Sequence, residues 1–472
     1  MASTIKKNII YNSLYQLLIM VIPLITTPYI SRTIGANGVG IYSYNYSVAQ
    51  YFVLFIMLGL NNYGNRSIAE VQSDKLKLSK TFWSIYTLQL FMGAVVCLLY
   101  IIYCFTISKE RTISLIMGLY VASACIDINW FFFGMEKFKL TVIRNFIIKL
   151  LTTVSIFCFI KNSSDVWEYC LILTVGIFAS QVALWPMVRR YINFYRPNFR
   201  EVCVHIKPNC ILFLTVIAVS LYKIMDKIML GILSTKSQVG FYESAERIIS
   251  VPTGFVTAIG TVMLPRMSNM KANNDKSAYA ILYKSILFAV FLSSSMSFGI
   301  MGVAKQFVPI FYGSGYDICV YLFWVLFPSC IFFAFGNVIR TQYLLPQKMD
   351  DVYVKSAFLG AIVNLIVNCI LIPRLYSVGA AIGTLLAEAV VCLYQSYKVS
   401  RYVPMKQYTI KSIPFVLAGV VMFFVLERFE IQGSLYFVLM IKIIIGVIIY
   451  MFILGIQDVI YYMRHKKHFF VT

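Results

Sequence analysis

The chain is a succession of apolar stretches of about 20 residues joined by short polar links, and that spacing limits what it can fold into. A helix of that length rises about 30 Å, the hydrocarbon thickness of a bilayer. We read spans at 11–30, 40–62, 82–107, 112–133, 141–160, 166–188, 209–233, 241–263, 281–304, 318–339, 353–373, 377–397, 409–427 and 435–460. In hydrocarbon the backbone must satisfy its own hydrogen bonds, so such stretches are helices. Composition agrees. Of 472 residues, 60% are hydrophobic and 13% charged, against roughly 25% charged in soluble chains. The expected fold class is all-α integral membrane, with about fourteen transmembrane helices. The first run, Leu14 to Ile30, follows Lys6 and Lys7, is too long for a signal-peptide core and lacks a small-residue cleavage site. It is expected to be retained as the first helix.

The net charge of +22 would suit nucleic acid if it formed one basic face. Instead, Lys and Arg gather in alternate loops. Of the 41, the termini and the loops after even-numbered spans hold 28, counting Arg144, Lys284, Lys355 and Lys411 in the first residues of the spans that follow. The opposite loops hold 8: Arg32, Lys109, Arg111, Lys161, Lys236, Lys305, Arg374 and Arg428. That is the positive-inside bias, which predicts both termini in the cytoplasm and no nucleic-acid partner. The longest loop, Arg189 to Pro208, is basic and leaves no room for a soluble domain. The eleven Cys show no metal-ligand or disulfide spacing. Three His (His205, His465, His468) sit in basic segments, no P-loop occurs, and the only adjacent acids are Asp350 and Asp351. No catalytic constellation is readable, so a non-enzyme is expected.

The chain repeats itself. Val39-Gly40-Ile41-Tyr42-Ser43-Tyr44 returns as Val239-Gly240-Phe241-Tyr242-Glu243-Ser244, an offset of 200. A second echo, after the fourth helix of each unit, sets Gly134-Met135-Glu136-Lys137 against Leu345-Pro346-Gln347-Lys348. Six helices per repeat is an even number, so the repeats insert in parallel. The expected lobes are 1–200 and 201–403, with two further helices in 404–472 and the chemistry between the lobes.

Pro23-Leu24-Ile25-Thr26-Thr27-Pro28-Tyr29-Ile30-Ser31-Arg32, followed by Gly35, Gly38, Gly40 and Tyr42, resembles the opening of the polysaccharide-type (Wzx-like) flippases. These belong to the superfamily of the MATE exporters and the lipid II flippases. Gly240 to Arg247, Val262 to Arg266 and Val378 to Thr384 are similar to further family stretches. The resemblance implies a fourteen-helix, two-lobed transporter of the bacterial cytoplasmic membrane. It would move undecaprenyl-diphosphate-linked oligosaccharide by alternating access and work beside polysaccharide polymerase or export machinery. A MATE-like cation-coupled drug exporter is the alternative. A membrane enzyme of polysaccharide assembly is the third reading, disfavoured by the missing acidic site and external loop.

Charges within helices cost roughly 2.5–3.5 kcal/mol at the bilayer centre, so each needs a reason. Lys223, Asp226 and Lys227 lie deep in helix seven, and Glu243, Glu246 and Arg247 near the outer end of helix eight. Glu243 and Arg247 are i, i+4 partners. These six form either a closed ion-pair cluster or a cationic wall for a diphosphate. Asp127 and Lys149 match in depth on helices four and five, which suggests a bridge. Glu388 is either a coupling site for H+ or Na+ or a buried carboxylic acid. Arg32 is an interfacial anchor or a residue of the cavity mouth. Lys442 is expected to snorkel. Tyr42, Tyr44 and Tyr46 pack at the interface or stack on sugar rings. No cofactor is expected.

Overall fold

The computed structural model describes residues 21–275 and 277–469, and about 85% of the described residues are helical, with no strand among them. Among the described residues, ten helical segments are long and apolar enough to cross a membrane, which makes this a multi-pass membrane protein. The chain divides into two compact units, Met1–Gly240 and Phe241–Thr472.

In the first unit, α1 (21–33) leads into α2 (Gly35–Met57), α3 (Leu60–Val71), α4 (Lys75–Thr106), α5 (Arg111–Cys125), α6 (Asn129–Gly134), α7 (Phe138–Phe159), α8 (Val166–Val182), α9 (Trp185–Val188), α10 (Phe199–Cys203) and α11 (Ile206–Leu233). Then α12 (Lys236–Ala272) begins, and the second unit continues through α13 (Ser277–Tyr312), α14 (Ile318–Leu326), α15 (Ser329–Ile339), a π-helical turn (Arg340–Leu344), α16 (Asp350–Val399), α17 (Met405–Arg428) and α18 (Leu435–Phe469).

Side chains are distributed as lipid demands. Phe91, Leu98, Leu99, Ile102 and Phe105 on α4 are exposed, as are Ile444, Val447, Ile448, Met451 and Phe452 on α18. Meanwhile Ser43, Asn45, Gln89, Ser294, Asn364 and Gln395 are buried. Hydrocarbon does not drive apolar groups inward, so packing uses small and polar residues.

The fifty-residue α16 is two helices. Tyr376 has φ 51° and ψ −126°, outside helical space, and the chain doubles back there. Gly379 lies against Leu371 and Ile372, Gly383 against Asn368, and Gly360 against Val391. Further out, Gln395 Nε2 donates to Ser356 Oγ at 2.9 Å. Successive contacts step four residues down one arm and four up the other, the signature of an antiparallel hairpin. The arms, 350–375 and 377–399, match the two spans read from sequence.

Two breaks were not visible in the sequence. Leu58, at φ 45° and ψ −124°, ends α2. The chain then continues as α3, whose Leu60, Gly64 and Ile68 are buried at a four-residue period, where a loop was expected. Inside one candidate span, Ile126–Ile128 separates α5 from α6. The freed carbonyls are caught by side chains: Gln89 Nε2 donates to Ala124 O at 2.6 Å and Asp127 O at 2.9 Å. Trp185 Nε1 donates to Ile126 O at 3.0 Å. Irregular backbone survives at membrane depth because these donors replace the lost helical ones.

The second echo ends its helices alike, one residue out of the expected register. Met135, Glu136 and Lys137 donate their N–H groups to Phe131, Phe133 and Phe132, while Gln347, Lys348 and Met349 donate to Tyr343, Leu345 and Leu344. Both are the same helix-ending motif, with the left-handed residue at Glu136 (φ 56°) and Lys348 (φ 59°). Glu136 therefore corresponds to Lys348, one residue beyond the match with Gln347 expected from the tetrapeptide.

Candidate functional site

At the end of the first unit that carries the turns around 107–111 and 234–236, α2, α5 and the start of α12 converge. Asn45 is buried and donates from Nδ2 to Glu110 Oε2 at 2.7 Å, while its Oδ1 accepts from Ser114 Oγ at 2.8 Å. Ser114 Oγ also meets Ser108 Oγ at 2.6 Å. Lys236 Nζ stands 3.9 Å from Glu110 Oε1 and 3.0 Å from the centre of the Tyr44 ring. A lysine desolvated this way is stabilised by a carboxylate and an aromatic face together. The tyrosines beside it pack on one another. Tyr42 stacks on Tyr46 at 5.5 Å, Tyr46 on Tyr120 at 4.9 Å, and Tyr42 meets Tyr169 edge-on at 5.0 Å. These half-buried rings pack on one another, and Tyr44 against Lys236. Arg32 is exposed near this end.

Deeper in the unit, the break between α5 and α6 builds a second polar cluster. Asp127 Oδ1 accepts from Asn129 N at 2.9 Å and Asn129 Nδ2 at 2.6 Å. Asn129 Oδ1 in turn accepts from Arg144 Nη2 at 2.9 Å. Arg144 is buried and donates to Ser180 O at 3.0 Å and Asn145 Oδ1 at 2.7 Å. Its charge acts on Asp127. The expected Asp127–Lys149 bridge is therefore corrected: Asp127 is held by Asn129, which is held in turn by Arg144, five residues closer to the start of α7. Among the described residues Lys149 Nζ has no acidic partner, and it is half-buried. Arg144 lies three residues inside the span read at 141–160 and is not among the charges singled out from sequence.

On α11, Asp226 is buried, and both it and Lys227 are held in interactions. Asp226 lies within electrostatic range of Tyr51, whose hydroxyl is buried without a hydrogen-bond partner. The side chain of Lys223 lies outside the described residues.

In the second unit, Arg247 Nε donates to Glu243 Oε1 at 2.9 Å, and both side chains are mostly buried. The neighbouring turn of α12 is fixed by Tyr312 Oη, which donates to Ser244 O at 2.7 Å, and by Tyr242 Oη, 2.8 Å from Thr384 Oγ1. Glu246 is half-buried on the same helix and has its own interactions. Glu388 is half-buried on the second arm of α16, within range of Cys330 and Cys392. Arg340 opens the π-helical turn. It donates to Asn337 Oδ1 at 2.5 Å and lies 5.4 Å from the Tyr353 ring. Lys442 reaches toward the end of α17. It is buried and donates to Leu426 O at 2.7 Å, closing the end of α17 beside the Lys305–Glu427 ion pair. Among the described residues no group of three His, Cys, Asp or Glu could hold a metal. Cys97 and Cys125 approach to 3.7 Å, and no disulfide forms among the described residues.

Long apolar helices around buried charges, with helix breaks satisfied from within the bundle, define a polytopic membrane transporter. The solved structure of lipid II flippase MurJ in an inward closed conformation has this fold. It superposes with a TM-score of 0.77 over 95% of this chain and 99% of that one, at 14% identity. The chain belongs to the family described as polysaccharide biosynthesis protein, whose model matches residues 5–271. The lipid II flippase MurJ model matches residues 150–444. A "Putative O-antigen transporter" of Escherichia coli K12 is 23% identical over 82% of this chain and 95% of its own length. A "Probable low-salt glycan biosynthesis flippase" of Haloferax volcanii is 28% identical over 42% of this chain and 43% of its own.

Proposed function

We infer that this chain is a flippase for lipid-linked oligosaccharides, of the kind that feeds a surface-glycan pathway. The observation that carries the reading is that a polysaccharide biosynthesis model and a lipid II flippase model match the same chain and overlap across 150–271. The cargo is an amphiphile with a sugar chain, a diphosphate and a polyprenyl tail. It needs cations for the phosphates and a wet path for the sugars.

Within that reading the chain crosses the membrane fourteen times. The ten candidate spans, the doubling of α16, and helices α1, α2 and α11 support that count. Both termini face the cytoplasm, as the bias of Lys and Arg favours, and the membrane is the bacterial cytoplasmic one. Residues 1–200 and 201–403 act as two repeats that alternate access, with 404–472 appended. Arg32, Lys149, Lys223, Lys227 and Arg247 contact the diphosphate, while Asp127, Asp226, Glu243, Glu246 and Glu388 balance them and couple transport to H+ or Na+. The chain takes no other cofactor and catalyses no bond-making step. A polymerase or export complex consumes the product on the far side.

The test is surface-glycan export by complementation. Lys227→Ala and Arg247→Ala each reduce export about tenfold or more with protein level unchanged, because a hydrogen bond to a charged group contributes roughly 1.5–3 kcal/mol. Normal glycan in both variants removes the cationic site. A deletion strain that exports normally but becomes drug-sensitive removes the flippase.

A further inference from the structure

The second unit contains a cavity of ≈ 430 Å³ at one end of its bundle, walled by Tyr279 and Tyr283 of α13 and by Gln407, Tyr408, Ile410 and Lys411 of α17. Its floor is fixed: the Tyr283 and Tyr408 rings lie 5.0 Å apart, and Tyr408 Oη donates to Tyr279 O at 3.3 Å. Its rim is open, with Tyr279 43% and Ile410 52% exposed. All six residues lie in the first two turns of their helices, within about 10 Å of the helix ends. That is headgroup depth, where tyrosine collects because one end of the ring is apolar and the other wet.

The two helices that wall the cavity carry one sign of charge near it, while the acids of the adjoining start of α16 are Asp350 and Asp351, the latter paired with Lys355. Lys284, Arg401, Lys406 and Lys411 are exposed on or beside the two helices, and Lys398 sits 5.5 Å from the Tyr394 ring. No Asp or Glu occurs from 276 to 316 or from 389 to 426. The nearest acid in sequence, Asp275, is engaged at the start of α13, where it accepts from Ser277 N at 2.9 Å. An occupant must therefore be amphiphilic and negatively charged. We propose that this cavity is a binding site for an anionic phospholipid of the surrounding leaflet. Its phosphate would meet Lys411 with Lys406 and Arg401 nearby, and its first methylenes would lie on Ile410 and the tyrosine rings. Each basic residue near a membrane surface strengthens attraction to anionic lipid about fivefold. The proposal does not depend on the flippase reading.

The experiment is native mass spectrometry of the full-length protein from detergent, offered phosphatidylglycerol and phosphatidylethanolamine in equal amounts. The expected result is a preference for phosphatidylglycerol of about fivefold or more, lost in Lys411→Glu and kept in Lys75→Glu, a basic residue at an end of α4 in the other unit. Tyr283→Ala is the second variant and also loses it, through the floor of the cavity rather than its charge. Equal retention of the two lipids, or a preference that survives Lys411→Glu, overturns the proposal. So does stronger capture of farnesyl diphosphate than of phosphatidylglycerol at the same site, which would make the cavity a cargo contact instead.

Discussion

Arg144 shows what a membrane interior requires of a cation. Its guanidinium is out of water, and three acceptors from α6, α7 and α8 plus the charge of Asp127 replace the lost hydration. Removing one partner of such an arrangement leaves the other charge buried, which costs about 3–5 kcal/mol. Arg144→Met should therefore lower the thermal midpoint in detergent markedly, and Asp127→Asn in the same chain should recover much of the loss. An additive double mutant would mean that the two do not share an interaction. A second residue-scale prediction concerns pH. His205, just ahead of α11, lies 2.6 Å from Tyr63 Oη, and burial lowers its pKa below the ordinary 6.5. The folded state thus favours the neutral ring. Its contribution is full above the unfolded value and is lost as pH falls through and below it. Between pH 8 and pH 5 the wild-type midpoint should fall more than that of His205→Gln, and parallel curves would contradict this. The pair sites on α12 could be read from an i, i+4 spacing. The partner of Asp127 could not, because depth counted from helix ends places Lys149 as well as Arg144, and only the break at Ile126–Ile128 decides between them.

At the scale of elements, the offset of 200 has a physical meaning. A Cβ added to Gly40 would come within 1.7 Å of Lys236 O, and one added to Gly240 within 1.8 Å of Ala36 O. The openings of α2 and α12 thus meet backbone to backbone, each glycine against the residue four positions before the other. Overlaps of this size against main-chain atoms cannot be relieved by a rotamer change. Gly40→Val and Gly240→Val should each lower the yield of folded protein or its midpoint strongly, as judged by size-exclusion monodispersity. Gly455→Val, where nothing lies within 4 Å, should do neither. The repeated Val-Gly was legible as sequence, and so were the spans, because hydrocarbon thickness imposes a length that composition records. The helix breaks were not. Their carbonyls are satisfied by Gln89 and Trp185, 35 or more residues away, and no local pattern encodes a donor that arrives from another helix. The reversal at Tyr376 was placed by the two flanking apolar runs, not by turn chemistry, since it holds neither glycine nor asparagine.

For the whole molecule, topology and transport are one argument. A fourteen-crossing chain places the termini and the loops after even-numbered spans on one side, and 28 of 41 Lys and Arg collect there or in the first four residues of the spans that follow, which favours that side as the cytoplasmic one. The count depends on parity. Had α16 been one helix, every loop after it would change sides, and Lys398, Arg401, Lys406 and the basic tail at Arg464, Lys466 and Lys467 would face outward. Structure and charge agree only if the hairpin at Tyr376 returns the chain across the bilayer. A reporter fused after Thr472 tests the parity directly. Green fluorescent protein there should fluoresce, and alkaline phosphatase there should stay inactive, because each works on one side only. The same phosphatase inserted at Ser163, in the turn between α7 and α8, should be active. A dark C-terminal fusion with active phosphatase, beside an active insertion at Ser163, would mean an odd number of crossings in the whole chain. If the missing crossing is the hairpin at Tyr376, it would place Lys411 and its cavity away from the leaflet where cargo is loaded.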